Sequence, residues 1–204
     1  MKISIVTFDS FNELDSLVAF SLFNIAINHY IKESKWSVCI SSPAKNIISM
    51  NGLVIQSNET LQYACKADAV IIGSGAKTLE IVKNESIINQ LQLDPKRQLI
   101  ASQCSGALVL SKLGLLQNVP VVCTDLTTKP YIEELGYNVS DKPFFANQNV
   151  ATAGGCLSSQ YIVGWIIAKL DSIEAAKNTI YYAAPVGEKE EYAHRMVSNI
   201  KAFL

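Results

Sequence analysis

The chain has 204 residues, 49% of them apolar and 17% charged, with a formal net charge of −1. That length suits a single domain with a sizeable core, and the balance excludes a disordered chain. No basic block or basic–aromatic interleaving supplies phosphate neutralisation, so no nucleic-acid partner is expected.

Met1 to Val6 opens an apolar run that Asp9 soon interrupts, with no small-residue cleavage site. It therefore reads as a buried strand and not as a secretory leader. The later apolar stretch at 162–168 is far too short to span a bilayer, so a cytoplasmic protein without membrane association is expected. Five cysteines, Cys39, Cys65, Cys104, Cys123 and Cys156, are odd in number and scattered, with no C-x-x-C pair, which points to a reducing compartment. His29 and His194 lie at no ligand spacing from one another or from a cysteine, so neither a metal nor a cofactor is expected.

In chain order, Ile3–Phe8 reads as a strand and Asn12–Tyr30 as a helix with apolar residues at helical spacing. Trp36–Ile40 is a second strand, and 47–56 a hairpin turning through Met50-Asn51-Gly52. A short helix over 61–65 precedes the apolar strand Ala69–Ile72, which runs into Gly73-Ser74-Gly75. A helix over 78–91 leads to a strand over 98–102, then a helix from Ser105 to Leu113 capped by Gly114. Val119–Cys123 reads as a further strand, 130–135 as a short helix, and 144–153 as one or two strands turning at 147–149. The rest is helical: 158–170, 172–181 and 188–204. Its apolar stripes suit core or dimer contacts.

Buried strands alternating with helices predict a single α/β domain over 1–204, a three-layer αβα sandwich around a mostly parallel sheet. In such sheets a ligand site forms at the carboxyl ends of the strands. Three segments converge there: the loop 9–15, the turn Gly73-Ser74-Gly75, and Gln103-Cys104-Ser105-Gly106. Cys104 falls at a strand-to-helix turn with small residues, Ser102 and Gly106, two places to either side, the pattern of a nucleophile elbow. The helix start should favour thiolate over thiol. The plain alternative is a small core residue, the reading given to Cys39, Cys65 and Cys156.

The glycine turn lacks the third glycine of a dinucleotide fingerprint, since position 78 is Thr. Its N–H groups suit oxyanion donors facing Cys104, or it is a tight turn and nothing more. Asp15, in the first turn of the first helix, is accounted for by the helix dipole alone.

The stretch Gln103-Cys104-Ser105-Gly106-Ala107-Leu108-Val109-Leu110, with Gly114-Leu115-Leu116 and Val150-Ala151-Thr152-Ala153-Gly154-Gly155, resembles the ThiJ/PfpI family of the class I glutamine amidotransferase-like, flavodoxin-like fold. With Phe8 and Asn12-Glu13-Leu14-Asp15 it looks most similar to the isonitrile hydratase branch. That resemblance implies Cys104 as nucleophile, Asp15 as proton donor or acceptor, and Ser105 as an assisting hydroxyl. Gly73, Ser74, Gly75, Gln103 and Asp125 become candidate substrate or oxyanion residues.

Many relatives carry a histidine where this chain has Asp125, in Cys123-Thr124-Asp125-Leu126, and a proline-glycine-glycine turn where it has Gly73-Ser74-Gly75. Peptidase chemistry is therefore not expected. The resemblance implies a small electrophilic substrate, an isonitrile hydrated through a Cys104 thioimidate, and a homodimer. A glyoxalase-type or amidase-type enzyme and a non-enzymatic redox sensor using Cys104 are the alternatives.

Overall fold

A computed structural model describes residues 1–32 and 35–204. The chain opens with β1 (Lys2–Val6), α1 (Glu13–His29) and β2 (Ser37–Ser42). The hairpin strands β3 (Asn46–Ile48) and β4 (Val54–Gln56) follow, then β5 (Glu59–Thr60), α2 (Leu61–Ala64) and β6 (Ala69–Ile72). Two short helices, α3 (Thr78–Ile81) and α4 (Glu85–Ile88), lead to β7 (Leu99–Gln103), α5 (Gly106–Lys112) and α6 (Lys129–Glu134). The chain closes with β8 (Phe144–Asn147), β9 (Val150–Ala153), α7 (Ser159–Leu170), α8 (Ile173–Ala183) and α9 (Lys189–Ile200).

One seven-stranded sheet has the order β5-β2-β1-β6-β7-β9-β8. Every pairing in it is parallel except β8 against β9. Parallel central strands need both faces covered, and the pleat sends alternate residues to opposite faces. Ile3, Ile5, Ala69, Ile71, Leu99 and Ala101 enter one core beneath α1, α7, α8 and α9. Val6, Val70, Ile72 and Ile100 enter the other, with Ala107 to Leu110 of α5. The apolar faces of the C-terminal helices go into the first core: Trp165, Met196 and Ile200 are fully buried.

Three sequence expectations fail locally. Val119–Cys123 forms no strand. It has a single isolated bridge, Val122 to Val139, because β9 already occupies the edge of β7 where a further strand would pair. The helix expected over 78–91 is broken at Asn84, whose side chain accepts from Ser86 N–H and starts α4 as a separate turn. The last helix also stops early, at Ile200, and finishes as a 3₁₀ turn over Lys201–Phe203.

Candidate active site

The strand-to-helix turn after β7 places Cys104 with φ +47, a left-handed conformation that costs a non-glycine residue roughly 1–2 kcal/mol. Its two peptide groups hold it there: the N–H donates to Ala153 O at 2.9 Å and the carbonyl accepts from Thr124 Oγ1 at 2.8 Å. The elbow also needs Gly106, where a Cβ would lie 2.6 Å from Ile72 O and 2.8 Å from Gly73 O. The backbone of β6 thus comes as close to the elbow as the small residue permits.

Asp15 reaches the elbow from the first turn of α1. Asn12 caps that helix, its Oδ1 accepting from Leu14 N–H at 3.1 Å, and Glu13 is tied to the β3–β4 hairpin through Ser49 and Asn51. So anchored, Asp15 is fully buried. Its Oδ1 lies 3.6 Å from Cys104 Sγ, which donates to it, and its Oδ2 accepts from the Ser74 hydroxyl. Burial raises the Asp15 carboxyl to about 6, although hydrogen bonds from Ser74, Cys104 and Cys156 oppose the shift.

The same surroundings push the Cys104 thiol upward, first by burial and then by the negative charge on Asp15. The expected ionised cysteine is therefore corrected. A helix N-terminus is worth about 0.3–1 kcal/mol at exposed sites, too little to offset desolvation beside a carboxylate. Above about pH 6 the pair carries one negative charge, held on Asp15, with the thiol as hydrogen-bond donor.

Cys104 lines a cavity of about 450 Å³ whose walls include Met50, Leu79, Leu108 and Tyr131. Asp15, fully buried, is not among the lining residues and meets the cavity through Cys104 and Ser74, which both line it. Ser74, Gly75, Ser105 and Asp125 line it, as expected of site residues; Gly73 and Gln103 do not. The oxyanion role assigned to Gly73 and Gly75 is overturned, since the Gly73 N–H is spent on Val6 O and the Gly75 N–H on Thr78 Oγ1. Ser74 acts instead through its hydroxyl on Asp15. Gln103 is structural: its amide donates to Cys156 O and its Oε1 accepts from Ser159 Oγ at 2.9 Å. Ser105 hydrogen-bonds to Thr78 at 2.8 Å and so braces the glycine turn against the elbow.

Asp125 is no oxyanion donor either. Burial works to raise its pKa, but hydrogen bonds from Thr127 and Thr128 prevail and hold it below the ordinary carboxylate range, so it is an anion at neutral pH. One oxygen, Oδ1, caps the Thr127 and Thr128 amides; Oδ2 is buried with no partner. No imidazole lines the cavity: both histidines are exposed, and His29 stacks on Tyr182.

Sequence reasoning missed Cys156 and Asn12. Cys156 follows β9, the strand beside β7, so its position past that strand's carboxyl end was the available signal. Asn12 Nδ2 donates to Cys156 Sγ at 3.1 Å, and both residues line the cavity. Asp15, Cys104 and Cys156 place their ligand atoms within 4.8 Å of one another, the one such group of potential metal donors among the described residues. Three donors fall short of the four of a structural zinc shell.

A buried cysteine on a strained elbow, paired with a carboxyl from the first helix of an αβα sandwich, defines a class of cysteine-centred α/β proteins. Within that class the chain belongs to the DJ-1/PfpI family, whose model matches residues 1–168. Among solved structures it is similar to Schizosaccharomyces pombe DJ-1, with 14% identity, TM-score 0.76, and coverage of 91% of this chain and 100% of that one. It is also similar to a ThiJ/PfpI family protein from Pseudomonas syringae, at 17% identity and TM-score 0.76, covering 98% and 85% of the two chains. Drosophila melanogaster DJ-1beta matches at 16% identity and TM-score 0.73, covering 89% and 96%. At these identities the likeness is one of fold. No curated protein matches the sequence. Among the described residues no helix is long and apolar enough to cross a membrane.

Proposed function

We propose that this protein is a cysteine-dependent hydratase of small electrophilic carbon compounds, with isonitriles as the substrate class. The observation that carries this reading is the Cys104 thiol, which lines a cavity and lies 3.6 Å from, and donates to, the buried carboxylate behind it. A thiol that already points its proton at a base needs no imidazole: Asp15 takes the proton as sulfur attacks.

In the first step Cys104 Sγ bonds to the terminal carbon of the isonitrile while its proton passes to Asp15. Asp15 then delivers that proton to the same carbon, giving a thioimidate and restoring its carboxylate. In the second step the carboxylate draws a proton from water as the water oxygen adds to the thioimidate carbon. Asp15 passes that proton to the nitrogen, and the carbon–sulfur bond breaks as the added hydroxyl gives its proton to the departing sulfur. The product is an N-substituted formamide, with thiol and carboxylate restored. One isonitrile and one water are consumed per turnover. A carboxyl raised to about 6 suits both halves, because it gives up and regains a proton near neutrality. The cavity volume fits a small organic substrate.

The test is formamide production from a small alkyl isonitrile by the wild-type protein, Cys104→Ala and Asp15→Asn. Turnover by wild type alone supports the reading. Turnover surviving in Cys104→Ala, or lactate from 2-oxoaldehydes with no formamide from isonitriles, contradicts it.

A further inference from the structure

Cys104 faces a second sulfur as well as a carboxylate. Cys156 Sγ, Cys104 Sγ and the Asp15 carboxylate oxygen lie within 4.8 Å of one another, and both cysteines line the cavity. The two sulfurs have unequal supports. Cys104 is pinned through both its peptide groups, whereas Cys156 sits on the single 3₁₀ turn Cys156–Ser158, entered through Gly155 at φ +86. The Asn12 amide holds the Cys156 sulfur toward the site. The other three cysteines are placed elsewhere: Cys39 Sγ donates to Ile3 O, Cys65 Sγ to Gln90 O, and Cys123 is fully buried. None of them lines the cavity. A disulfide spans about 2.05 Å between sulfurs, so these two, within 4.8 Å, must close by less than about 3 Å.

We propose that Cys104 and Cys156 form a reversible redox pair, closed into an intramolecular disulfide by a hydroperoxide and reopened by a dithiol, which switches the site off and on. Asp15 accepts the thiol proton as Cys104 sulfur attacks the hydroperoxide. The oxygen–oxygen bond breaks, leaving a sulfenic acid on Cys104, and the departing alkoxide takes the proton back from Asp15 and leaves as an alcohol. Cys156 sulfur then attacks the sulfenic sulfur, and hydroxide leaves with the Cys156 proton as water. The two thiols lose two electrons and two protons; the hydroperoxide is reduced to alcohol and water. An external dithiol reverses the bond by exchange. Closure occupies the nucleophile and spares it further oxidation to sulfinic acid, a step that is not reversed by thiols. The pair rests on sulfur geometry and is independent of which electrophile the site hydrates.

The experiment treats the reduced full-length protein with one equivalent of hydrogen peroxide and reads intact mass and cysteine connectivity. The expected result is a loss of about 2 Da, a Cys104–Cys156 linkage in the peptide map, and full reversal by dithiothreitol. Cys156→Ser and Cys156→Ala should instead show dimedone-trapped sulfenic acid on Cys104, proceeding with more peroxide to a gain of about 32 Da. The proposal is overturned if wild type reaches sulfinic acid as fast as Cys156→Ser does. A linkage through Cys39, Cys65 or Cys123 in place of this pair, or one that dithiothreitol leaves intact, overturns it too. Because the readout is covalent mass, a failed isonitrile assay leaves the result standing, and a missing disulfide says nothing against hydration.

Discussion

Asp15 and Cys104 are 89 residues apart in sequence, yet the sulfur lies 3.6 Å from Oδ1 with both groups buried. Burial and mutual repulsion leave room for one negative charge on the pair, so the thiol and the carboxylate share a proton that moves when sulfur reacts. Replacing either group should disable the site differently. Cys104→Ala loses the nucleophile and all turnover. Asp15→Asn keeps the nucleophile but loses the proton carrier, a loss of about 10²–10⁴ in kcat. Steady-state kinetics on the two variants check this.

The reactive form has Asp15 ionised and Cys104 protonated. kcat/KM should therefore rise with pH through about 6, the value to which burial lifts Asp15, and then level off. Asp125 adds a negative charge that raises Asp15 further, so Asp125→Asn should move this acid limb to lower pH. A limb that stays put, or moves upward, contradicts the electrostatic account.

Asp15 also makes the fold less stable where it is ionised. In the folded chain it holds its proton to about 6, against an ordinary value of 3.8. Its stabilising contribution is thus complete below pH 3.8, declines as pH rises, and is lost above 6. A gap of roughly two units corresponds to about 3 kcal/mol. Asp15→Asn removes this penalty and should be more stable than wild type at pH 8, by about 1–3 kcal/mol, with a flatter pH dependence in urea unfolding.

The elbow predicts a further ordering of stabilities. Cys104→Gly and Cys104→Ala both delete the sulfur, but only glycine is unstrained at φ +47. Cys104→Gly should therefore unfold at higher denaturant than Cys104→Ala, by about 1 kcal/mol. Gly106→Ala drives a methyl against the carbonyls of Ile72 and Gly73 and should cost about 1–3 kcal/mol along with most of the activity.

The sheet, its main helices and the elbow were legible because each rests on local pattern: Ala69–Ile72 is an uninterrupted apolar run, and Ser102 to Gly106 is spaced as a tight turn demands. Val119–Cys123 has the same apolar character, yet β9 and not this segment lies beside β7, and pairing of that kind is decided by distant residues. Cys156 was passed over for the same reason. It directly follows the Gly154-Gly155 pair, but its place in the site comes from β9 lying next to β7. The protonation of Cys104 was misjudged because the helix start is local, whereas the burial and the carboxylate that outweigh it arrive from α1.

The most direct test of the account is to quench the protein with acid during turnover of a small alkyl isonitrile and weigh it intact. The account predicts a mass gain equal to one isonitrile, mapped to Cys104, that is absent from Cys104→Ala and decays into free formamide when the quench is delayed. Formamide accumulating at the wild-type rate with no adduct on Cys104 at any time would contradict it.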